Sequence, residues 1–423
     1  MMIMFKSFIT TFEVLKFTDF RNRWFASFLK NAATSMLQTA AIWMILSLSQ
    51  NASLTALIPV ALSLPTVIFL IPAGITADLY SKRYQLLMSL SLSGLILIVI
   101  GLISMHDLLQ PVSLLALLGL YAVINSFVGP AWHGSITDIV PKNYVRSAVS
   151  LQQVSFSSAA AFGSVFSGIF ILLVGPELVF WISGTANIVM ALIIRNWKEV
   201  KPIKELSKPL KFEKKMLWKS YIESIRNAPS VGYNLTYFML VGLLCSGFFI
   251  LIPLFNKTFL TGKEITLGLM YGCYYLGGVF GSFFASQKAT STGLIRRLSQ
   301  GILLIAIGYA SIPFFYSGYW ALICIFEGYL WMYMIVVVNG NIQLAAHKEY
   351  KARTMTLFIL TSFASMAIGG SIYAILIDSI GMIAVVWGLA LLLAPFLLLF
   401  LFATRSFCFE PPISLTVRSS NHK

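Results

Sequence analysis

Charge is what this sequence holds least of. Aspartate and glutamate number only 15 in 423 residues, and charged residues of both signs make up 11%. A soluble chain of this length carries about a quarter, so soluble globular and fibrous classes are excluded. Cysteine is scarce as well. Cys245, Cys273, Cys324 and Cys408 are scattered, three of them in apolar stretches, with no metal-ligand spacing. They read as small hydrophobes rather than as a redox or metal centre. No G-x-x-x-x-G-K-[ST] loop occurs, which argues against direct drive by ATP.

What the chain has in abundance is apolar length. Hydrophobic residues make up 58% of it, and its mean hydropathy is +0.84. About twelve apolar runs are each long enough to cross ~30 Å of hydrocarbon as a helix. They fall at 24–48, 54–77, 85–105, 112–132, 147–173, 177–195, 231–255, 266–287, 299–317, 319–342, 354–377 and 380–404. The first is too long and too polar for a cleaved signal peptide. The expected fold class is an all-α membrane protein with twelve transmembrane helices in two six-helix halves.

A net charge of +15 raises the question of nucleic acid, and its placement answers it. With the N-terminus inside, 27 of the 30 lysines and arginines fall in the inner connections or the two tails. Only Lys257 and Lys263 lie in outer loops, and Lys30 sits within the first run. That is the positive-inside bias of an even number of spans with both ends in the cytosol. The basicity marks topology in an inner membrane, not a nucleic-acid surface. Outer loops stay within about a dozen residues, leaving no room for a receptor or adhesin ectodomain.

The long polar stretch 196–230 divides six runs from six. Its segment KFEKKMLWKSYIESIRN gathers Leu217, Trp218, Tyr221, Ile222 and Ile225 on one arc and Lys215, Lys219, Glu223 and Arg226 on the other, the pattern of a helix lying on anionic headgroups. Its plainer role is a tether. The domains are thus expected at 1–195, 196–230, 231–404 and a tail at 405–423. The halves echo one another: Tyr144 in K-N-Y-V-R and Tyr350 in K-E-Y-K-A-R stand at matching places, and basic pairs follow the second run (Lys82, Arg83) and the eighth (Arg296, Arg297).

One short stretch stands out. In GITADLYSKRYQLL, Gly74, Asp78, Lys82 and Arg83 crowd the second inner turn. Gly74 permits close backbone approach, Asp78 suits the positive end of a facing helix, and Lys82 and Arg83 anchor the turn and can pair with Asp78. Such a cluster can latch two half-domains on one side. Topology alone accounts for the two cations but not for Gly74 and Asp78. The pattern resembles the loop 2–3 signature of the major facilitator superfamily.

The stretch GPAWHGSITDIVPKNYVRSAVSLQQVSFSSAAAFGSVFSG (129–168) is similar to helices 4 and 5 of the branch holding enterobactin-type siderophore exporters and macrolide efflux proteins. Gly129, Pro130, Ala131, Val140, Pro141, Ala148, Leu151, Gly163 and Gly168 carry that likeness. The family's antiporters have G-P-x-x-G-G in helix 5. Here Gly163-Ser164-Val165-Phe166-Ser167-Gly168 keeps the small positions without the proline. Ala160 stands where the branch has an arginine, and none occupies the helix 4 position near Asn125.

The resemblance implies a central cavity lined by spans 1, 4, 7 and 10. Span 1 then offers Asn31, Ser35 and Gln38 as a polar stripe, and span 4 offers Tyr121, Asn125 and His133; helix–helix hydrogen bonding is the structural alternative. Glu327, inside span 10 and about 12 Å from its outer end, is costly there unless protonated, paired or facing water. It is the candidate for proton coupling or cation binding. Trp331, one turn on, is placed to stack on a substrate. Lys30 either snorkels to the cytosolic headgroups or contacts an anion, and lies at a different depth from Glu327.

An enzyme reading rests only on His133 and Asp138 at acyltransferase spacing, without a soluble catalytic domain, and is set aside. The expectation is a secondary transporter, monomeric and without a cofactor, metal or nucleic-acid partner. It moves a small organic molecule through the lipid bilayer by alternating access, with protons as the coupling ion. Export of a siderophore or amphiphilic drug comes first; uptake of a siderophore or metabolite, or flipping of a lysophospholipid, is the alternative.

Overall fold

The computed structural model describes residues 13–49, 52–79, 81–136, 145–195, 223, 225–226, 228–260, 262–287, 319–345 and 351–388. After a short 3₁₀ turn at Glu13–Lys16, the described residues form helices α1 (Thr18–Ser49), α2 (Ala52–Leu79), α3 (Lys82–Met105), α4 (Pro111–Asn125), α5 (Val128–Ile136), α6 (Val145–Val174), α7 (Pro176–Arg195), α8 (Pro229–Phe259), α9 (Glu264–Gln287), α10 (Trp320–Ala345) and α11 (Lys351–Ile380). Among the described residues nine helical stretches are long and apolar enough to cross a membrane. The runs at 299–317 and at 389–404 lie outside the described residues, as do most of 196–230 and the tail.

With no water to satisfy the backbone inside a bilayer, long apolar runs close all their hydrogen bonds within the helix. Even α2, with Pro59, Pro65 and Pro72 in its interior, stays helical. Thr66 Oγ1 returns a bond to the Leu62 carbonyl (3.0 Å), and Ser63 does the same to Pro59. The turn between α6 and α7 is written in Gly175 and Pro176. Gly175 takes a positive φ of 109°, donates to the Phe170 and Ile171 carbonyls, and hands over to Pro176 at the first position of α7.

The run at 112–132, expected as one span, is broken. A turn at residues 126–127 separates α4 from α5. Pro130 is the physical reason: it has no N–H for the carbonyl four residues back, and its ring crowds that carbonyl. Gln85 on α3 bridges the break, its Nε2 donating to the Phe127 carbonyl (2.9 Å) and to Ala73 on α2 (3.1 Å).

Helices α1 to α7 pack among themselves, with α1 on α6 and α7, α3 on α7, and α2 on α4. Helices α8 to α11 form a second group, α9 on α10 and α8 on α11. The groups meet along two seams, α2 with α11 and α6 with α9. These seams are uneven from end to end. The large core joining both groups draws on Met36–Leu46 of α1 and Leu97 and Ile100 of α3, all toward the end that carries Gly175. A smaller core at the other end, including Phe20, Leu86, Leu90, Leu151 and Met190, contains no residue of the second group.

Glycines draw the same contrast. A Cβ on Gly168 would meet the Glu264 carbonyl at 2.8 Å and Gly268 Cα at 3.2 Å, so α6 and α9 touch backbone to backbone at the Gly175 end. A Cβ on Gly74, Gly129 or Gly340 would meet nothing within 4 Å among the described residues at the opposite end. Among the described residues the two groups thus meet closely at the Gly175 end, and no such contact is made at Gly74, Gly129 or Gly340. Helix α9, although 24 residues long, falls outside the nine apolar stretches. Gripped by α6 and α10, it uses glycine, serine and tyrosine where lipid-facing helices use leucine.

Candidate functional site

The polar stripe expected on α1 divides between two duties. Ser35 is buried against α6, donating to the Ala160 carbonyl (2.8 Å) and meeting Ser164 Oγ at 2.6 Å. It is helix–helix glue, drawn in where Gly163 lets α6 press on the backbone of Ala32. Asn31 is half-buried and donates to Ser27 Oγ (3.3 Å), which Gln152 of α6 also reaches. Gln38 Oε1 accepts from Tyr275 Oη on α9 at 3.3 Å, a side-chain bond between the two helix groups. Gln153 of α6 likewise reaches Met332 Sδ on α10, at 4.0 Å.

On α4, Tyr121 is 3% exposed, and its hydroxyl makes no hydrogen bond of normal length although the Thr34 hydroxyl of α1 approaches it. Asn125, one turn further on, leaves its buried Oδ1 unpaired. The side chains of His133 and Asp138 lie outside the described residues.

Glu327 is 2% exposed and lies within α8, α9 and α10. Its Oε1 has no hydrogen-bond partner, and its charge reaches the Cys245 and Cys324 thiols and the Tyr274 hydroxyl. The neighbouring Gly328 brings α10 onto the Tyr274 carbonyl with no room for a side chain, which seals the carboxyl in. A sheath of rings encloses this region: Phe249 lies 4.9 Å from Tyr271 and 5.8 Å from Tyr274, and Phe248 stacks on Tyr274 at 6.2 Å. Trp331 is half-buried with one face already taken. It stacks on Phe238 at 5.9 Å and 15°, and Phe238 stacks in turn on Phe358.

At the expected latch, α2 runs through Asp78 to Leu79 and α3 starts at Lys82, its first turn capped by Ser81 accepting from the Tyr84 N–H (3.1 Å). Lys82 and Arg83 thus occupy a helix N-terminus, where cations are disfavoured by about 0.3–1 kcal/mol. Among the described residues no atom stands within 4 Å of where a Cβ on Gly74 would lie. The side chain of Asp78 lies outside the described residues. Sequence reasoning missed Gln152, Gln153, Tyr274 and Tyr275. The one available signal was a Gln-Gln pair and a Tyr-x-x-Tyr-Tyr cluster standing inside otherwise apolar runs.

Residues 9–414 match a family described as transmembrane secretion effector. The chain belongs to that family. It is thereby a membrane transporter of the major facilitator type. An uncharacterised MFS-type transporter of Bacillus subtilis (strain 168), YfiS, is 27% identical over 139 residues, 33% of this chain and 32% of its own. That match spans about a third of the relative's length. A POT family transporter in complex with 5-aminolevulinic acid superposes with a TM-score of 0.71 at 15% identity, covering 91% of this chain and 96% of its own. The nucleoside transporter NupG does so with a TM-score of 0.64 at 15% identity, covering 92% and 98%. At such identities the two solved structures speak for the fold of this transporter alone.

Proposed function

We propose that this transporter exports a small organic molecule, a siderophore or an amphiphilic drug, by alternating access across the cytoplasmic membrane, with both termini in the cytosol. The observation that carries this reading is the unequal seam among the described residues: helices pressed together through Gly168 and Gly268 at one end, and no described atom within 4 Å of a Cβ at Gly74, Gly129 or Gly340 at the other. The basic residues of the connections favour a cytosolic side for the end that carries Gly74 and Gly340. The family's description as a secretion effector favours export over uptake.

The domains 1–195 and 231–404 are read as two six-helix halves joined by the tether 196–230. Supporting this, the two seams exchange under a two-fold operation. Counting α4 and α5 as the fourth span, span 2 on span 11 becomes span 8 on span 5. In this reading Gly74, Asp78, Lys82 and Arg83 form a cytoplasmic latch. Asn31, Gln38, Asn125, Glu327 and Trp331 border the substrate path. Glu327, a carboxyl without counter-charge or hydrogen bond at Oε1, takes and releases the coupling proton.

Single cysteines in a cysteine-free background test the cycle. At position 340 a membrane-impermeant maleimide should react from the cytosolic side, and at position 265, on the α9 face against Gly168, it should fail until substrate or a proton gradient turns the protein over. Reporter fusions near residue 200 that report an extracellular location, or labelling that never changes sides, overturn the reading.

A further inference from the structure

We propose that Lys30, Tyr121 and Asn125 form a binding site for an organic anion that carries a hydrogen-bond donor beside its charge. The site lies within the transport path, so the inference rests on the transporter reading and names a substrate class for it. Helices α1 and α4 touch, and Thr34 of α1 approaches the Tyr121 hydroxyl. Short connections join α1 through α4 in sequence, so α1 and α4 run in opposite directions. One turn back along α1 is Lys30, on the same face as Thr34; one turn forward along α4 is Asn125. Both steps go the same way by ~6 Å, which sets Lys30 level with Asn125 beneath the Thr34–Tyr121 pair.

Each of these side chains lacks something. No charged group among the described residues acts on Lys30, which is half-buried. The Tyr121 hydroxyl, 3% exposed, makes no hydrogen bond of normal length among the described residues, with the Thr34 hydroxyl its one near neighbour. Asn125 Oδ1 is an acceptor with no donor. An ammonium and a hydroxyl together ask for a carboxylate, and the amide oxygen beside them asks for an O–H or N–H on the same ligand. A plain cation satisfies only Asn125. A plain anion leaves its oxygen bare, and a buried polar atom left bare is a penalty.

Calorimetry on the purified full chain in lipid nanodiscs tests this with three probes: 2-hydroxybenzoate, benzoate and 2-hydroxybenzamide. Binding of 2-hydroxybenzoate is expected, weaker by roughly tenfold for benzoate and absent for the uncharged amide. Lys30→Gln should weaken 2-hydroxybenzoate by about ten- to a hundredfold, while Lys30→Arg keeps it within a few-fold. Should Lys30→Gln not fold, Tyr121→Phe, which removes one oxygen, should weaken it about tenfold. Equal affinity for the three probes, or 2-hydroxybenzoate binding indifferent to Lys30→Gln and Tyr121→Phe, overturns the site. Transport of other solutes without any binding of these probes sinks the anion site and leaves the transporter reading standing. Probe binding without movement of any solute in proteoliposomes does the reverse.

Discussion

Glu327 is an isolated acid in a place that offers it nothing. Its neighbours are two thiols, a tyrosine and a glycine packed on a backbone carbonyl, and its Oε1 finds no donor. A fixed negative charge in such surroundings carries a desolvation cost of many kcal/mol, so the group is useful chiefly as a place for a proton to come and go. Glu327→Gln keeps the shape of the protonated acid. Transport by that variant is expected to lose its response to an imposed pH gradient while thermal unfolding in detergent stays close to that of the parent. A gradient response unchanged from the parent would remove Glu327 from coupling. Its position within a long apolar run was legible in the sequence, because one acid among so many aliphatic and aromatic residues is conspicuous. Its sealed setting was not, because that depends on Gly328 and Tyr274 meeting across two helices. For Ser35 the sequence left two roles open, and the Ala160 carbonyl and Ser164 hydroxyl of α6 decide for packing.

Among the elements, α9 and α10 are joined most intimately. Gly277 and Gly281 of α9 lie on the carbonyls of Ile325 and Tyr329, and Gly328 of α10 lies on that of Tyr274. Backbone cannot yield as a side-chain tip does, so Gly328→Leu is expected to destabilise by about 3 kcal/mol or more, read as a fall in Tm. Retention of the parental Tm would show that the helices can separate without loss. Long apolar helices were readable from hydropathy alone; the sequence suggests about twelve, and nine such stretches stand among the described residues. The break between α4 and α5 was not read, although its cause, Pro130, was in plain view; in membrane helices prolines such as the three of α2 are carried without a break, so the residue alone does not decide. What decides here is a partner, Gln85, whose amide takes up the Phe127 carbonyl. Gln85→Leu should therefore loosen α5 against α3, measured as faster hydrogen exchange across residues 126–136. Unaltered exchange there would mean the break stands without its brace.

For the molecule as a whole, the balance between its two conformations is set by small contacts at each end. A bulky residue at Gly168 cannot coexist with the Glu264 carbonyl and Gly268 where they now lie. Gly168→Phe is expected to shift the population toward the state parted at the Gly175 end, raising reactivity of a cysteine placed at position 262 several-fold. Asp78→Asn should move the same balance in the opposite sense, by weakening the latch that forms when the cytoplasmic end shuts. Identical labelling at both ends in parent and variant would count against that role. The long basic stretch at mid-chain and the paired Tyr144 and Tyr350 motifs lead the sequence reading to expect two halves, and the described helices on either side of that stretch pack mainly among themselves. The state in which the molecule rests could not be anticipated, since the glycines of both ends look alike until their neighbours are placed.

The glycine seam between α6 and α9 also has a bearing on leakage. Two bare backbones pressed together leave no groove in which a file of water could form, and without such a file neither protons nor small ions have a conducting thread through the shut end. A protein that spans a bilayer must not short-circuit the ion gradients held across it. Here the insulation is supplied by the absence of side chains rather than by any plug, so even a modest widening at Gly168 would show first as a passive conductance across the membrane.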